Sequence, residues 1–175
     1  MMKKVIILVL LVFAAISVLA QGSEQKSSIL DDMNFEIKTL YGLKQHDMRP
    51  MDLSMQLSCS FTDRLSLLLS AERNHTLFDV NDGKWYADGT SFGGGVAYVW
   101  LKDGYYRYDM RLQVVNTIGS PKWKRTAYDL GVTLYEKRGK RSLSPVLGLG
   151  FRYQKSHTAG IRDWCGLYAT VGIRF

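Results

Sequence analysis

Val146-Leu147-Gly148-Leu149-Gly150-Phe151-Arg152-Tyr153-Gln154 alternates at every step. One face carries Leu147, Leu149, Phe151 and Tyr153; the other carries Gly148, Gly150, Arg152 and Gln154. The closing run behaves in the same way, with Cys165, Leu167, Ala169, Val171, Ile173 and Phe175 opposed to Trp164, Gly166, Tyr168, Thr170, Gly172 and Arg174. A period of two with one apolar face marks a strand whose two faces meet different media. No helix, tail or second domain is expected after it. The last strand therefore needs a partner, and the natural one is the first strand of the same chain.

Further alternating runs precede these two. They predict strands at about 33–42, 51–61, 64–71, 92–101, 105–116 and 126–137. The clearest sets Met51, Leu53, Met55, Leu57, Cys59 and Phe61 against Asp52, Ser54, Gln56, Ser58 and Ser60. The phase of the fourth strand stays open: either Val96, Tyr98 and Trp100 or Ala97, Val99 and Leu101 form its apolar face. The connections alternate in length. Short turns are expected at 62–63, 102–104 and 138–141, and longer loops at 43–50, 72–91, 117–125 and 155–163. The expected fold is all-β, an eight-stranded antiparallel up-and-down transmembrane β-barrel over 33–175 with its long loops outside the cell.

Alternation alone does not say which face points out, and a soluble lipocalin-like barrel would turn its apolar face inward. The polar face decides for apolar-out. It carries Glu36, Lys38, Asp52, Arg107, Asp109, Arg111, Asp129, Arg152 and Arg174 in mid-strand, interleaved with glycines. Small residues beside long charged ones suit the narrow interior of such a barrel. A basic residue turned into lipid at mid-depth costs about 2–4 kcal/mol, so a slip exposing several together would not be tolerated. These residues are expected to form a paired network that plugs the lumen. Aromatics near strand ends (Phe35, Tyr41, Phe61, Trp100, Tyr106, Tyr153, Phe175) fit interfacial girdles.

The 175-residue chain has a mean hydropathy near zero, and no run past its N-terminus is apolar enough for a spanning helix. The net charge of +7 is spread singly along alternating runs, with no basic helix or stripe, which argues against nucleic-acid binding. Lys3 and Lys4 followed by an apolar run at 5–18 and Ala20 read as a signal peptide, 1–20, cut before Gln21. The segment 21–32 is a polar leader without pattern.

On these features, above all the leader ending at Ala20, the alternating runs and the closing Leu167-Tyr168-Ala169-Thr170-Val171-Gly172-Ile173-Arg174-Phe175, the chain resembles the small eight-stranded outer-membrane β-barrels of the OmpX and OmpA-transmembrane type. The resemblance implies an outer-membrane protein in contact with outer-membrane lipids and lipopolysaccharide. It also implies that Phe175 ends a signal read by the outer-membrane assembly machinery. No peptidoglycan-binding domain is expected after the barrel, so a wall-anchoring role is not among the expectations.

For function, the expectation is a non-enzymatic monomer without cofactor or metal, with a structural or surface-recognition and adhesion role carried by its outer loops. Phe78, Trp85 and Tyr86, in the predicted 72–91 loop, are the candidates for contact with an unidentified surface ligand. Asp82-Gly83 could instead turn that loop into a hairpin extending the third and fourth strands. The alternatives are a lipid A-modifying enzyme, for which Ser156-His157 or Ser70 with His75 supply residue types, a narrow channel, and a soluble ligand-binding barrel. A Ser-His-acid cluster at the rim would favour the enzyme. His46, His75 and His157 show no metal-ligand spacing, and Cys59 and Cys165 fall at opposite barrel ends, too far apart for a disulfide.

Overall fold

The computed structural model describes residues 33–45, 47–80, 83–136 and 143–175; the predicted signal peptide, polar leader, His46, Asp82 and the short turn expected at 138–141 lie outside them. The described residues form β1 (Met33–Gly42), β2 (Met48–Ser60), β3 (Leu65–Val80), β4 (Gly83–Asp103), β5 (Tyr106–Ile118), β6 (Arg125–Glu136), β7 (Ser144–Ser156) and β8 (Trp164–Arg174). Each strand pairs antiparallel with the next, and β1 pairs with β8, which closes the barrel. At that seam Ile37 lies opposite Ile173 and Tyr41 opposite Ala169. The Phe175 N–H donates to the Phe35 carbonyl at 2.8 Å, the Phe35 N–H donates back at 3.3 Å, and the two rings sit 6.0 Å apart.

Polar side chains fill the interior, and the apolar stripes face out. On β7, Leu149 is 71% exposed while Arg152 is 1% exposed. The open phase of β4 resolves with Val96, Tyr98 and Trp100 outward and Ala97 and Val99 inward. Leu101 then also turns outward, because the ladder with β5 slips between Val99 and Leu101 and Trp100 becomes an extra residue.

One expectation is corrected. The 72–91 stretch is not a loop: β3 and β4 stay paired from Glu72 opposite Ser91 to Val80 opposite Gly83, as the hairpin alternative required. Side chains still alternate there, with Glu72, Asn74 and Thr76 inward and Arg73 and His75 outward. Polar residues occupy both faces, so no apolar stripe marks the strand in the sequence. β2 likewise begins earlier than expected, at Met48. The contrast between the two barrel ends therefore lies in the projecting β3–β4 hairpin more than in loop length. The end that bears it is called the upper end below.

Gly93 and Gly95 let β4 press against β5. A Cβ on Gly95 would lie 2.1 Å from the Leu112 carbonyl oxygen and 2.7 Å from the Gln113 Cα, atoms of a paired backbone that cannot step aside. Gly95→Val should therefore destabilise the barrel by about 1–3 kcal/mol or more, read as a lower urea midpoint in detergent micelles. An unchanged midpoint would mean that the two strands are not in this close register.

Candidate functional site

The interior is built in layers. In the lower layer Arg111 forks onto Glu36, with Nη1 to Oε2 at 2.6 Å and Nη2 to Oε1 at 2.9 Å. Arg174 approaches Glu36 at 3.4 Å and Asp109 at 3.8 Å, and its guanidinium lies 4.1 Å from the centre of the Tyr135 ring. The Tyr135 hydroxyl donates to Asp109 at 3.2 Å. Above this, Lys38 donates to Gln56 at 2.9 Å, Gln56 to Gln113 at 2.7 Å, and Gln113 to Glu72 at 3.3 Å.

Arg152 is the hub of the next layer. Its Nε and Nη2 fork onto Asp129, its Nη1 donates to Asp52 at 2.5 Å, and its Nη2 also reaches Glu72 at 3.0 Å. Arg125 completes the layer, donating to Asp52 at 2.7 Å, Asn74 at 2.6 Å and Gln154 at 2.7 Å. An interior this buried requires charges to be paired and hydrogen-bonded. Lys38, Arg111, Arg125, Arg152 and Arg174 balance Glu36, Asp52, Glu72, Asp109 and Asp129 one for one. A cavity of about 20 Å³ beside Lys38, Glu72, Asp129, Arg152 and Tyr168 has room for a single water.

Of the sequence-predicted lumen residues, all but one join these layers. Arg107 is only half-buried, opposite Lys102 and Tyr135, and makes no ion pair among the described residues. Its place near the lower rim explains this: it can reach water. Glu72 and Arg125 were missed because both fell in stretches read as loops. Their signal was phase: Glu72 continues Ser66-Leu68-Ser70 at every second residue, and Arg125 precedes Ala127 and Asp129 in the same way.

An apolar cap closes the upper end of the interior, formed by Met48, Phe78, Ala87, Trp123 and Trp164. The Arg125 guanidinium sits 4.9 Å from the Trp123 ring centre, which joins the cap to the ionic layer beneath. Trp123 meets Phe78 edge-on at 5.4 Å, and Phe78 stacks on Trp85 at 4.1 Å with an interplanar angle of 7°. The three predicted recognition aromatics are thus not one patch. Phe78 is buried in the cap, because its inward phase on β3 carries it over the lumen. Trp85 shares that inward side but stays part-exposed at the tip, while Tyr86 faces outward and stacks on His75.

The rim supplies no Ser-His-acid cluster among the described residues. His75 Nδ1 bonds Asp88 at 2.5 Å on the outer face, whereas Ser70 points into the lumen and accepts from Gln56. His157 Nε2 bonds the Thr126 hydroxyl at 2.8 Å, and the neighbouring Ser156 hydroxyl accepts from Trp123 at 3.1 Å. No disulfide joins Cys59 and Cys165, which stand at opposite ends, across from Met33 and Tyr153. No group of side chains among the described residues is placed to hold a metal ion. In the upper loops, the Lys44 ammonium bonded to Asp79 at 2.8 Å holds that carboxyl below its ordinary range. Asp163, which accepts from the Tyr153 hydroxyl and the Ser156 N–H, is lowered in the same way.

No protein-family model and no curated protein matches the chain. Among solved structures it is similar to the Yersinia pestis outer membrane protein Ail in a phospholipid bilayer nanodisc, at 14% identity and a TM-score of 0.48, over 82% of this chain and 98% of that one. It is also similar to the N-terminal β-barrel domain of Pseudomonas aeruginosa OprF, at 16% identity and a TM-score of 0.44, over 81% and 97%. The outer membrane enzyme PagL aligns at 14% identity and a TM-score of 0.38, over 79% and 96%. The barrel itself rests on the strand registers of this chain.

Removing Arg152 would leave Asp52, Glu72 and Asp129 short of a buried partner. Arg152→Leu should lower unfolding stability in micelles by about 3–5 kcal/mol, while Arg107→Gln should stay within about 0.5 kcal/mol of the parent. Equal effects at the two sites would remove Arg152 from the centre of the network.

Proposed function

We propose that this protein is a small outer-membrane β-barrel that acts through its upper end, in surface recognition or as a structural element of the membrane, without catalysing a reaction. The observation that carries this reading is its inverted polarity. A band of leucine, valine, isoleucine and phenylalanine surrounds the outside, and the charges lie within. Soluble monomers expose contiguous apolar patches of at most about 300–600 Å², whereas this band runs right round the barrel. Tyr41, Tyr128 and Tyr153 fringe the band at the upper end, and Phe35, Tyr98, Trp100, Tyr106 and Phe175 fringe it at the lower end, as membrane girdles do.

The β3–β4 hairpin supports the recognition reading. Above Ala71 and Phe92 its outer face changes to Arg73, His75, Asp88 and Thr90, side chains suited to water. There β4 pairs with β5 only as far as Thr90 opposite Ile118, so the β4 edge from Lys84 to Gly89 has no strand beside it among the described residues. A rigid projecting hairpin with an open edge is a surface that a partner can grip. The filled lumen speaks against a channel. The Ser70 and Ser156 hydroxyls accept from Gln56 and Trp123 and make no hydrogen bond to histidine among the described residues, which lends no support to a serine-based lipid chemistry at the rim.

Orientation is the test. In a background with Cys59 and Cys165 replaced by alanine, Lys84→Cys should react with a membrane-impermeant maleimide on intact cells. Lys102→Cys should react only after the outer membrane is opened. Labelling of Lys102→Cys alone on intact cells would place the hairpin in the periplasm and end the surface reading.

A further inference from the structure

The apolar cap does not fill the mouth of the barrel. Beside it lies a cleft of about 510 Å³ lined by Asp47, Met48, Phe78, Trp85, Gly160, Ile161 and Arg162. This volume lies within the usual range for small-ligand sites, roughly 300–1,000 Å³. One wall is the parallel Phe78–Trp85 stack, held from behind by the edge of Trp123. Ile161, which packs against the cap, also lines the cleft. Trp85, 37% exposed, and the aliphatic Ile161 within one cleft make a lining that suits a planar ring.

The rim adds charge. Arg162 is exposed and makes no ion pair with any described residue. Asp47, 70% exposed, lies on the same rim. Its carboxylate lies 3.8 Å from Lys44, and its carbonyl accepts from the Asp79 N–H at 2.7 Å. Its φ of 61° puts it alone among the described non-glycine residues in the left-handed region. Reciprocal backbone hydrogen bonds between Gln45 and Met48, both 2.9 Å, brace this turn. The turn is therefore held in place, and Arg162 is the cation of the cleft lining, with no described carboxylate paired to it. Because Trp85 and Phe78 point toward the lumen axis and away from the apolar band, the cleft opens to water and not to lipid.

We propose that this cleft binds a planar aromatic group bearing a carboxylate, with the ring against Trp85, which Phe78 backs, and the carboxylate on Arg162. The proposal deepens the recognition reading and depends on it only for the side of the membrane from which the ligand comes. The chemistry is shared by small aromatic acids and by peptides ending in an aromatic residue.

The test is calorimetric titration of the protein in lipid nanodiscs, with empty nanodiscs as reference. N-acetylphenylalanine should bind saturably, and N-acetylphenylalanine amide about tenfold more weakly, as loss of a charge-assisted contact requires. Arg162→Gln should erase that difference. Trp85→Ala should abolish binding of both probes, and Tyr86→Ala, on the opposite face of β4, should change neither. Gly-Gly-Phe with a free C-terminus binding at least as tightly as the acetylated amino acid would identify a peptide end as the source; binding of the free acid alone would identify a small molecule. No saturable heat above empty nanodiscs, or equal affinity in Trp85→Ala, would overturn the proposal. That failure is separable from failure of the surface reading, because maleimide labelling does not depend on the cleft.

Discussion

Everything in this barrel depends on keeping the Arg152 guanidinium inside and satisfied. Its four donor contacts tie together β2, β3 and β6 from a position on β7, so one side chain fixes the rotational phase of half the barrel. The constraint works in both directions. A one-residue slip of β7 would drive Phe151 into the ionic interior and Arg152 into the apolar band, reversing the environment of every side chain on the strand. Removing charge from solvent is costly unless each group finds a partner, and here the buried acids and bases are matched in number. The pairing therefore specifies register at least as much as it adds stability.

A continuous line of contacts connects that ionic layer to the upper end. Asp52 bonds both Arg152 and Arg125, Arg125 lies over Trp123, Trp123 abuts Phe78, and Phe78 stacks on Trp85. The hairpin is thus not a loosely attached extension. Its inner face is anchored through aromatic rings to the charges that hold the barrel together. This anchoring makes the mouth cleft a pre-formed surface, which matters because ordering a loop on binding would consume much of the interaction energy.

The sequence displayed the barrel well where the two faces differ in polarity. β1 appeared with its bounds as found, and the lumen charges of β2, β5, β6 and β7 stood out because aliphatic or aromatic neighbours flank each of them. Legibility failed where both faces are polar. Between Glu72 and Ser91 the ladder continues, but Arg73, His75, Asp88 and Thr90 carry no apolar signal, so paired strand resembled loop. Glu72 and Arg125 were lost for that reason, although their phase matched the runs beside them. Phe78 was misjudged differently: its exposure depended on whether a strand carried it over the lumen, which composition does not record. The cap, assembled from β2, β3, β4, β8 and the 119–124 loop, joins residues with no local relation in sequence.

The central claim is that the apolar face of this barrel meets lipid while the charges face one another within. The most direct measurement is migration of the protein, extracted from outer-membrane fractions, on a detergent gel with and without boiling. The account predicts that the protein sediments with the membrane and that boiled and unboiled samples run at different positions, as a detergent-resistant closed barrel does. Recovery in the soluble periplasmic fraction with no shift on boiling would contradict it and would favour a soluble barrel with its apolar face turned inward.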